Sequence, residues 1–275
     1  MKNSQLKKRL ELAIAISESI GQALLKFRES KGLIKTKFEK GGQLKSPIDV
    51  AAESWIRALL ESNYPSESFL SEESYEKERK FDASSGRFWI IDALDGTRSF
   101  HEGYNGFCVQ IAFIENKKLK LAVVHAPALR TTYWAVAGKG AFMKKGKQGK
   151  RIFCNKNRFD GKLIYTDSHL AKGIVKEILN KLNITKFLEM GSFGIKICKV
   201  AEGKANIFLK PVEFKIWDTA PGDLILREAG GKLTLWSGEE IDYSGGKIYF
   251  KNLLATNSFL HKQVLSQIKY FHKNN

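Results

Sequence analysis

The sequence predicts an α/β protein built as a layered αβαβα sandwich, with an N-terminal domain over residues 1–158 and a C-terminal domain over 159–275. Three observations predict it. Residues 5–63 hold two stretches with apolar residues at helical spacing, residues 87–154 break into short β-rich runs, and from about residue 158 strand-like and helix-like segments alternate. The N-terminal domain therefore reads as helices against a mostly antiparallel sheet, and the C-terminal domain as an α/β unit.

In order along the chain, Leu6, Leu10, Ala13, Ile14, Ser17, Ile20, Leu24 and Phe27 predict a first helix, with Gly32 as its stop. A basic, glycine-containing loop follows to Lys45. The stretch from Asp49 to Asn63 predicts a second helix on Val50, Ala51, Ile56, Leu59 and Leu60, ended by Tyr64-Pro65. FLSEES (69–74) is an apolar stub that runs into two acids. RFWIID, CVQIAFIENKKLKLAVVHAPA, TTYWAVAGKGAF and RIFCN supply the sheet. Then come a strand (KLIYTDS), a helix (AKGIVKEILNKLN), a short strand (KFLEMGS), a helix (IKICKVAEG), a strand (ANIFLK), a helix beginning just after Trp217-Asp218, and strands to the end.

Composition narrows the class. A chain of 275 residues, 43% of them hydrophobic, can bury sizeable cores, and no window approaches a membrane span. The N-terminus has no continuous apolar h-region, and Cys108, Cys154 and Cys198 fall in no ligand or disulfide spacing, so a cytoplasmic protein with free thiols is expected. A net charge of +17 suits nucleic acid, an anionic membrane or a small polyanion. Against a nucleic-acid binder stands the absence of an RNP-like or basic-helix pattern, with Trp89, Phe100 and Phe107 flanking an acidic motif instead.

That motif is WIIDALDGTRSF (89–100). An apolar strand delivers Asp92 and Asp95 to its C-terminal edge, where two acids repel unless a cation sits between them. Gly96 permits a sharp turn, and if TRSF opens a helix, the N–H groups of Gly96 and Thr97 offer an anion site. Glu72 with Glu73, and Asp218 ahead of TAPG, add carboxylates at the ends of apolar elements. Oxygen-only donors suit Mg²⁺, and four acids are about what two such ions need to act on a phosphoryl group.

LKSPIDVAAE (44–53), FLSEES, WIIDALDGT and IWDTAPG (216–222) resemble, in order and spacing, the motifs of the inositol monophosphatase superfamily of Mg²⁺-dependent, lithium-sensitive phosphatases. The resemblance runs from the first helix to about residue 256. It implies that Glu72, Asp92 and the carbonyl of Leu94 hold one metal, and that Asp92, Asp95 and Asp218 hold a second. Asp49 would serve a third, weaker metal or its water. Gly96 and Thr97 would contact the phosphate, and Thr97 with Glu72 would orient the attacking water. Ala93 stands where the family usually has Pro, and Ser46 where it usually has Thr.

LAVVHAPAL, YTDSHLAKGIVKEIL and KICKVAEGKANIFLKP look most like the 3′(2′),5′-bisphosphate nucleotidase branch, which takes the 3′-phosphate from adenosine 3′,5′-bisphosphate (PAP) to leave AMP. By that resemblance Ser168-His169 lie near the nucleotide, and Lys196 and Lys210 face the second phosphate. The branch's GSSxK reads here as GSFGIK, one residue longer, and Lys210 replaces an expected Arg. The alternative within the family is an inositol or sugar phosphate monoesterase. The expected partner is a small phosphorylated anion, with no specific nucleic acid; the oligomeric state is open between monomer and homodimer.

Overall fold

The computed structural model describes residues 3–30, 37–38, 44–158 and 163–274. Gly32, predicted to stop the first helix, and most of the basic loop after it lie outside the described residues. The chain begins with α1 (Asn3–Glu29), two short paired strands, β1 (Lys37–Phe38) and β2 (Leu44–Lys45), and α2 (Pro47–Asn63). Helix α2 starts two residues before the predicted Asp49, because Ser46 and Asp49 form a reciprocal cap. The Ser46 amide donates to Asp49 Oδ2 at 3.0 Å, and the Ile48 amide donates to Ser46 Oγ at 3.4 Å.

A seven-stranded sheet follows: β3 (Ser68–Ser71), β4 (Arg87–Asp95), β5 (Cys108–Glu115), β6 (Lys118–Ala126), β7 (Thr131–Val136), β8 (Gly140–Lys145) and β9 (Gln148–Ile152). These strands lie in chain order, all antiparallel except β3, which pairs parallel with β4. The short helices α3 (Glu72–Glu78) and α4 (Thr97–His101) leave the C-terminal ends of β3 and β4. The second sheet has five strands in the order β11-β10-β12-β14-β13, from β10 (Ile164–Asp167), β11 (Lys186–Glu189), β12 (Ile207–Lys215), β13 (Gly231–Leu235) and β14 (Tyr249–Asn257). Its helices are α5 (Gly173–Lys181), α6 (Phe193–Ala201), α7 (Ile216–Glu228) and α8 (Ser258–Asn274).

Strand alternation sorts the side chains into three cores. On β4, Trp89 and Ile91 pack beneath α1 and α2 with Ile20, Leu24, Ile56 and Leu60. Phe88 and Ile90 point the other way, into a core shared with Ile197 of α6, Leu226 of α7 and Leu253 of β14. Leu209 and Leu254 face the far side, against Ile178 of α5 and Val264 of α8. The order is thus helices, sheet, helices, sheet, helices, which is the layered αβαβα sandwich expected from the sequence.

Two expectations change. The chain closes on α8 instead of strands, because Leu260, Val264 and Ile268 recur every four residues and are fully buried. Helix α7 begins at Ile216, so Asp218 lies inside its first turn instead of just before it.

Candidate active site

The alternation that puts Phe88 and Ile90 toward α6 and α7 also puts Asp92 there. Beyond it the register with β5 shifts between Asp92 and Asp95, and this irregularity brings the second acid to the same side. Gly96 then turns the chain at φ 92°, where a Cβ would also lie 2.7 Å from the carbonyl oxygen of Gly106, so two independent constraints demand glycine. Glu72 enters as the first residue of α3, and Asp218 from the first turn of α7. Asp49, Glu72, Asp92, Asp95, Thr97 and Asp218 line one cavity of about 260 Å³, together with Glu53, Lys215, Ala93 and Leu94.

The acids suppress one another's ionisation. Burial pushes the carboxyl of Glu72 well above its ordinary value, and the charge of Asp218 pushes it further. Asp92 is raised well above its value by burial and then by Glu72, Asp95 and Asp218. Asp95 is raised by burial against the bonds it accepts from Gly194 and Phe193. Asp218 is pushed up to about 7 by burial and by Asp95. An all-oxygen chamber whose ionised form is so unfavourable fits a hard divalent cation such as Mg²⁺. Among the described residues no three acidic, histidine or cysteine side chains are already arranged to hold an ion. Three of the four carboxylates accept protein hydrogen bonds: Asp92 Oδ1 from Leu94 N at 3.0 Å, Asp95 Oδ2 from Gln110 Nε2 at 2.9 Å and Gly194 N at 2.8 Å, and Asp218 Oδ2 from Lys215 N at 2.6 Å.

Helix α4 has only five residues, so the dipole anticipated behind Gly96-Thr97 is weak. Thr97 Oγ1 donates to the Leu94 carbonyl at 3.1 Å, which ties the hydroxyl to the other end of the motif.

A second cavity, of about 780 Å³, adjoins the first through Asp95, Gly96, Arg98 and Phe193. Ser168, His169, Lys196 and Lys210 all line it. His169 is exposed. The two lysines are already engaged, which the sequence did not indicate. Lys210 Nζ donates to both oxygens of Asp167, at 2.9 and 2.7 Å, while Lys196 Nζ pairs with Asp167 Oδ1 at 3.0 Å and donates to Ser168 Oγ at 2.8 Å. Burial opposes ionisation of Asp167, but the Lys196 charge and the Lys210 bonds win and hold its carboxyl below the ordinary range. Lys196 is 1% exposed, with its ammonium over the rings of Phe193 and Phe208.

Besides Asp167, sequence reasoning assigned no role to two other site residues. Glu53, on α2, accepts from Ser71 Oγ at 2.8 Å, Glu73 N at 2.7 Å, Ser74 N at 3.0 Å and Ser74 Oγ at 2.6 Å, and so fixes the turn that carries Glu72. Gln110, on β5, holds Asp95; a lone polar residue inside the apolar run CVQIAFI was the available signal.

Comparison with known proteins follows the same lines. The model of the inositol monophosphatase family matches residues 5–270. Fructose-1,6-bisphosphatase/inositol-1-monophosphatase of Thermotoga maritima is 30% identical over 266 residues, covering 94% of this chain and 95% of the relative. The 3′(2′),5′-bisphosphate nucleotidase CysQ of Buchnera aphidicola is 30% identical over 243 residues, covering 88% and 90%. The solved structure of Thermotoga maritima IMPase superimposes with a TM-score of 0.81 at 27% identity, over 97% of this chain and 99% of that one.

Proposed function

The chain belongs to the inositol monophosphatase family of phosphatases, and from that premise we propose that it is a Mg²⁺-dependent 3′(2′),5′-bisphosphate nucleotidase that converts PAP to AMP. The observation that carries the finer reading is the 780 Å³ cavity beside the acids. It is of a size for a nucleoside. Leu129, Met190 and Phe193 give it apolar wall, and Lys196 and Lys210 share its lining with Gly96, which also lines the acid cavity.

Glu72, Asp92, Asp95, Asp218 and the Leu94 carbonyl are the groups that would hold the cations. When bound, Mg²⁺ supplies the positive charge that offsets the charge spreading over the phosphoryl oxygens. The chain's own contribution is to hold the phosphate at Gly96-Thr97, to orient the attacking water with the Thr97 hydroxyl and Glu72, and to accept its proton at the Glu72 carboxylate. Asp49 supports a weaker third cation or its water. No side-chain nucleophile takes part.

A monoesterase acting on inositol or sugar phosphates is the second reading. One specific observation favours it: Asp167 occupies both lysines, leaving the trio with a net charge of only +1. PAP, inositol phosphate, fructose 1,6-bisphosphate and histidinol phosphate assayed with Mg²⁺ decide between the two. The expected result is the highest kcat/KM on PAP, abolished by EDTA and by Asp92→Asn; a preference for inositol phosphate overturns the nucleotidase reading, and wild-type rates in excess EDTA overturn the cation site.

A further inference from the structure

The acid cavity contains a cation of the protein's own. Lys215 is the last residue of β12 and sits directly before α7. Its backbone amide donates to Asp218 Oδ2 at 2.6 Å, and its ammonium lies 3.9 Å from Glu72 Oε1. Its side chain is only 12% exposed, whereas Arg98, the other basic residue lining this cavity, faces solvent. One residue therefore contacts both an acid of α3, through its side chain, and an acid of α7, through its backbone.

Resting on the reading of these acids as a Mg²⁺ site, we propose that Lys215 is a resident counter-ion that competes with the divalent cation. In the metal-free protein its charge offsets the repulsion between Glu72 and Asp218 and so holds α3 and the start of α7 together. The same fixed charge repels an incoming divalent ion, an interaction that solvent screens weakly in so enclosed a space. Lys215 thus makes the metal-free fold more stable and the metal more weakly held. The lysine is a positioning residue: its backbone amide caps Asp218 while its mostly buried side chain lies toward Glu72.

The two effects have opposite signs, which separates this role from a purely structural one. Lys215→Met keeps the aliphatic bulk and removes the charge; Lys215→Arg keeps the charge, and Lys215→Gln replaces Met should that variant not fold. Melting temperature is followed in EDTA and across a Mg²⁺ titration, with inorganic phosphate and substrate kinetics as a second readout. The expected result for the uncharged variant is a lower melting temperature in EDTA together with a half-saturating Mg²⁺ concentration about tenfold lower, while Lys215→Arg stays near wild type. An uncharged variant that needs as much Mg²⁺ as wild type, or more, overturns the proposal; a raised KM and weakened phosphate binding in that variant would assign Lys215 to the phosphate instead. A wild-type protein whose melting ignores Mg²⁺ overturns the cation site, and this inference with it.

Discussion

Gln110 donates to the Oδ2 of Asp95 at 2.9 Å, and the same nitrogen reaches the backbone carbonyl of Asp218 at 3.3 Å. A fully buried amide on the central strands of one sheet thereby joins an acid of β4 to the first turn of α7 in the layer beneath. Turning the amide over would set its oxygen against both acceptors, so its orientation is fixed by its partners. Gly194 leaves room for the outer oxygen: a Cβ there would lie 2.4 Å from Gln110 Oε1. Gln110→Leu should cost about 1.5–3 kcal/mol, as for loss of a hydrogen bond to a charged group. Because Asp95 would then be held mainly by the backbone amides of Gly194 and Phe193, the half-saturating Mg²⁺ concentration should also rise. Denaturant unfolding and Mg²⁺ titration measure the two; an unchanged Mg²⁺ requirement would show that Gln110 supports only the fold.

Glu53 supports Glu72 in a comparable way. Its carboxylate accepts four hydrogen bonds from Ser71, Glu73 and Ser74, so Glu53→Gln turns an –NH₂ group toward donors. A loss of about 1–3 kcal/mol is expected from the unsatisfied groups. The kcat should fall by more than tenfold as Glu72 loses its place, with KM little changed. A variant with a normal kcat would mean that β3 and α3 hold Glu72 without this help.

Two buried histidines set the acid limb of stability. Burial lowers His125 to about 4, helped by the charge of Lys144 and opposed by Glu18; burial and the charge of Lys232 lower His261 to about 4. Both are neutral in the fold, while the unfolded chain protonates them below about 6.5. Stability is therefore present above that value and lost as pH falls from about 6.5 toward 4. The loss is on the order of 3 kcal/mol for each, at about 1.4 kcal/mol per pH unit. His261 bridges Thr234 and Thr256 at 2.9 and 2.8 Å, and His261→Gln removes its titration. Unfolding free energies from pH 4 to 7 should fall less steeply for this variant; parallel curves would place the acid sensitivity elsewhere.

The four acids of the smaller cavity have the reverse sign. Asp218, at about 7, and its neighbours Glu72, Asp92 and Asp95 titrate higher in the fold than in the unfolded chain. Without a divalent cation, the contribution of Asp218 falls as pH rises from about 4 to about 7, and those of its neighbours fall as pH rises above the ordinary carboxylate range. Added Mg²⁺ should therefore raise the melting temperature more at pH 8 than at pH 5. Equal shifts at both values would argue that the ion binds away from these carboxylates.

The lysines of the larger cavity should separate by function. Lys196 is enclosed and paired, so Lys196→Ala leaves Asp167 with one partner fewer and should lower stability by about 3 kcal/mol. Lys210 keeps 23% of its side chain exposed on the cavity wall. Lys210→Ala should raise KM for PAP by about tenfold or more and leave inositol phosphate nearly unaffected, a difference on the order of 1.5–3 kcal/mol. Equal losses on both substrates would favour the monoesterase reading.

The layers and the four acids were legible for the same reason. Alternating apolar residues define faces, and a buried strand that ends in DALDG has few uses other than to gather charge. What escaped reading depends on contacts between distant residues. Asp167 precedes Ser168-His169 in the sequence, yet its hold on Lys196 and Lys210 exists only after β10, α6 and β12 come together. The start of α7 was misplaced because TAPG resembles a helix opening, while the bond from Lys215 N to Asp218 that caps it is invisible in sequence. The last helix was hidden by β-rich residues just before it, although Leu260, Val264 and Ile268 carried the period.

The loop before β5 and the loop before α6 meet without side chains. A Cβ on Gly191 would lie 2.0 Å from the carbonyl oxygen of Gly106, one on Gly106 would lie 2.5 Å from the amide nitrogen of Gly191, and Ser192 N donates to Gly106 O at 2.8 Å. For an engineer who wishes to change what the enzyme accepts, this seam is the wrong place to mutate, because even alanine would pry apart the two halves that carry Asp95 and Lys196. The tolerant positions line the same cavity without forming the seam: Tyr104 is 64% exposed, and Leu129 and Met190 are only partly covered. Substrate range is therefore adjustable beside the seam and not at it, and libraries confined to those three residues should retain folded members where libraries spanning Gly106 and Gly191 lose them.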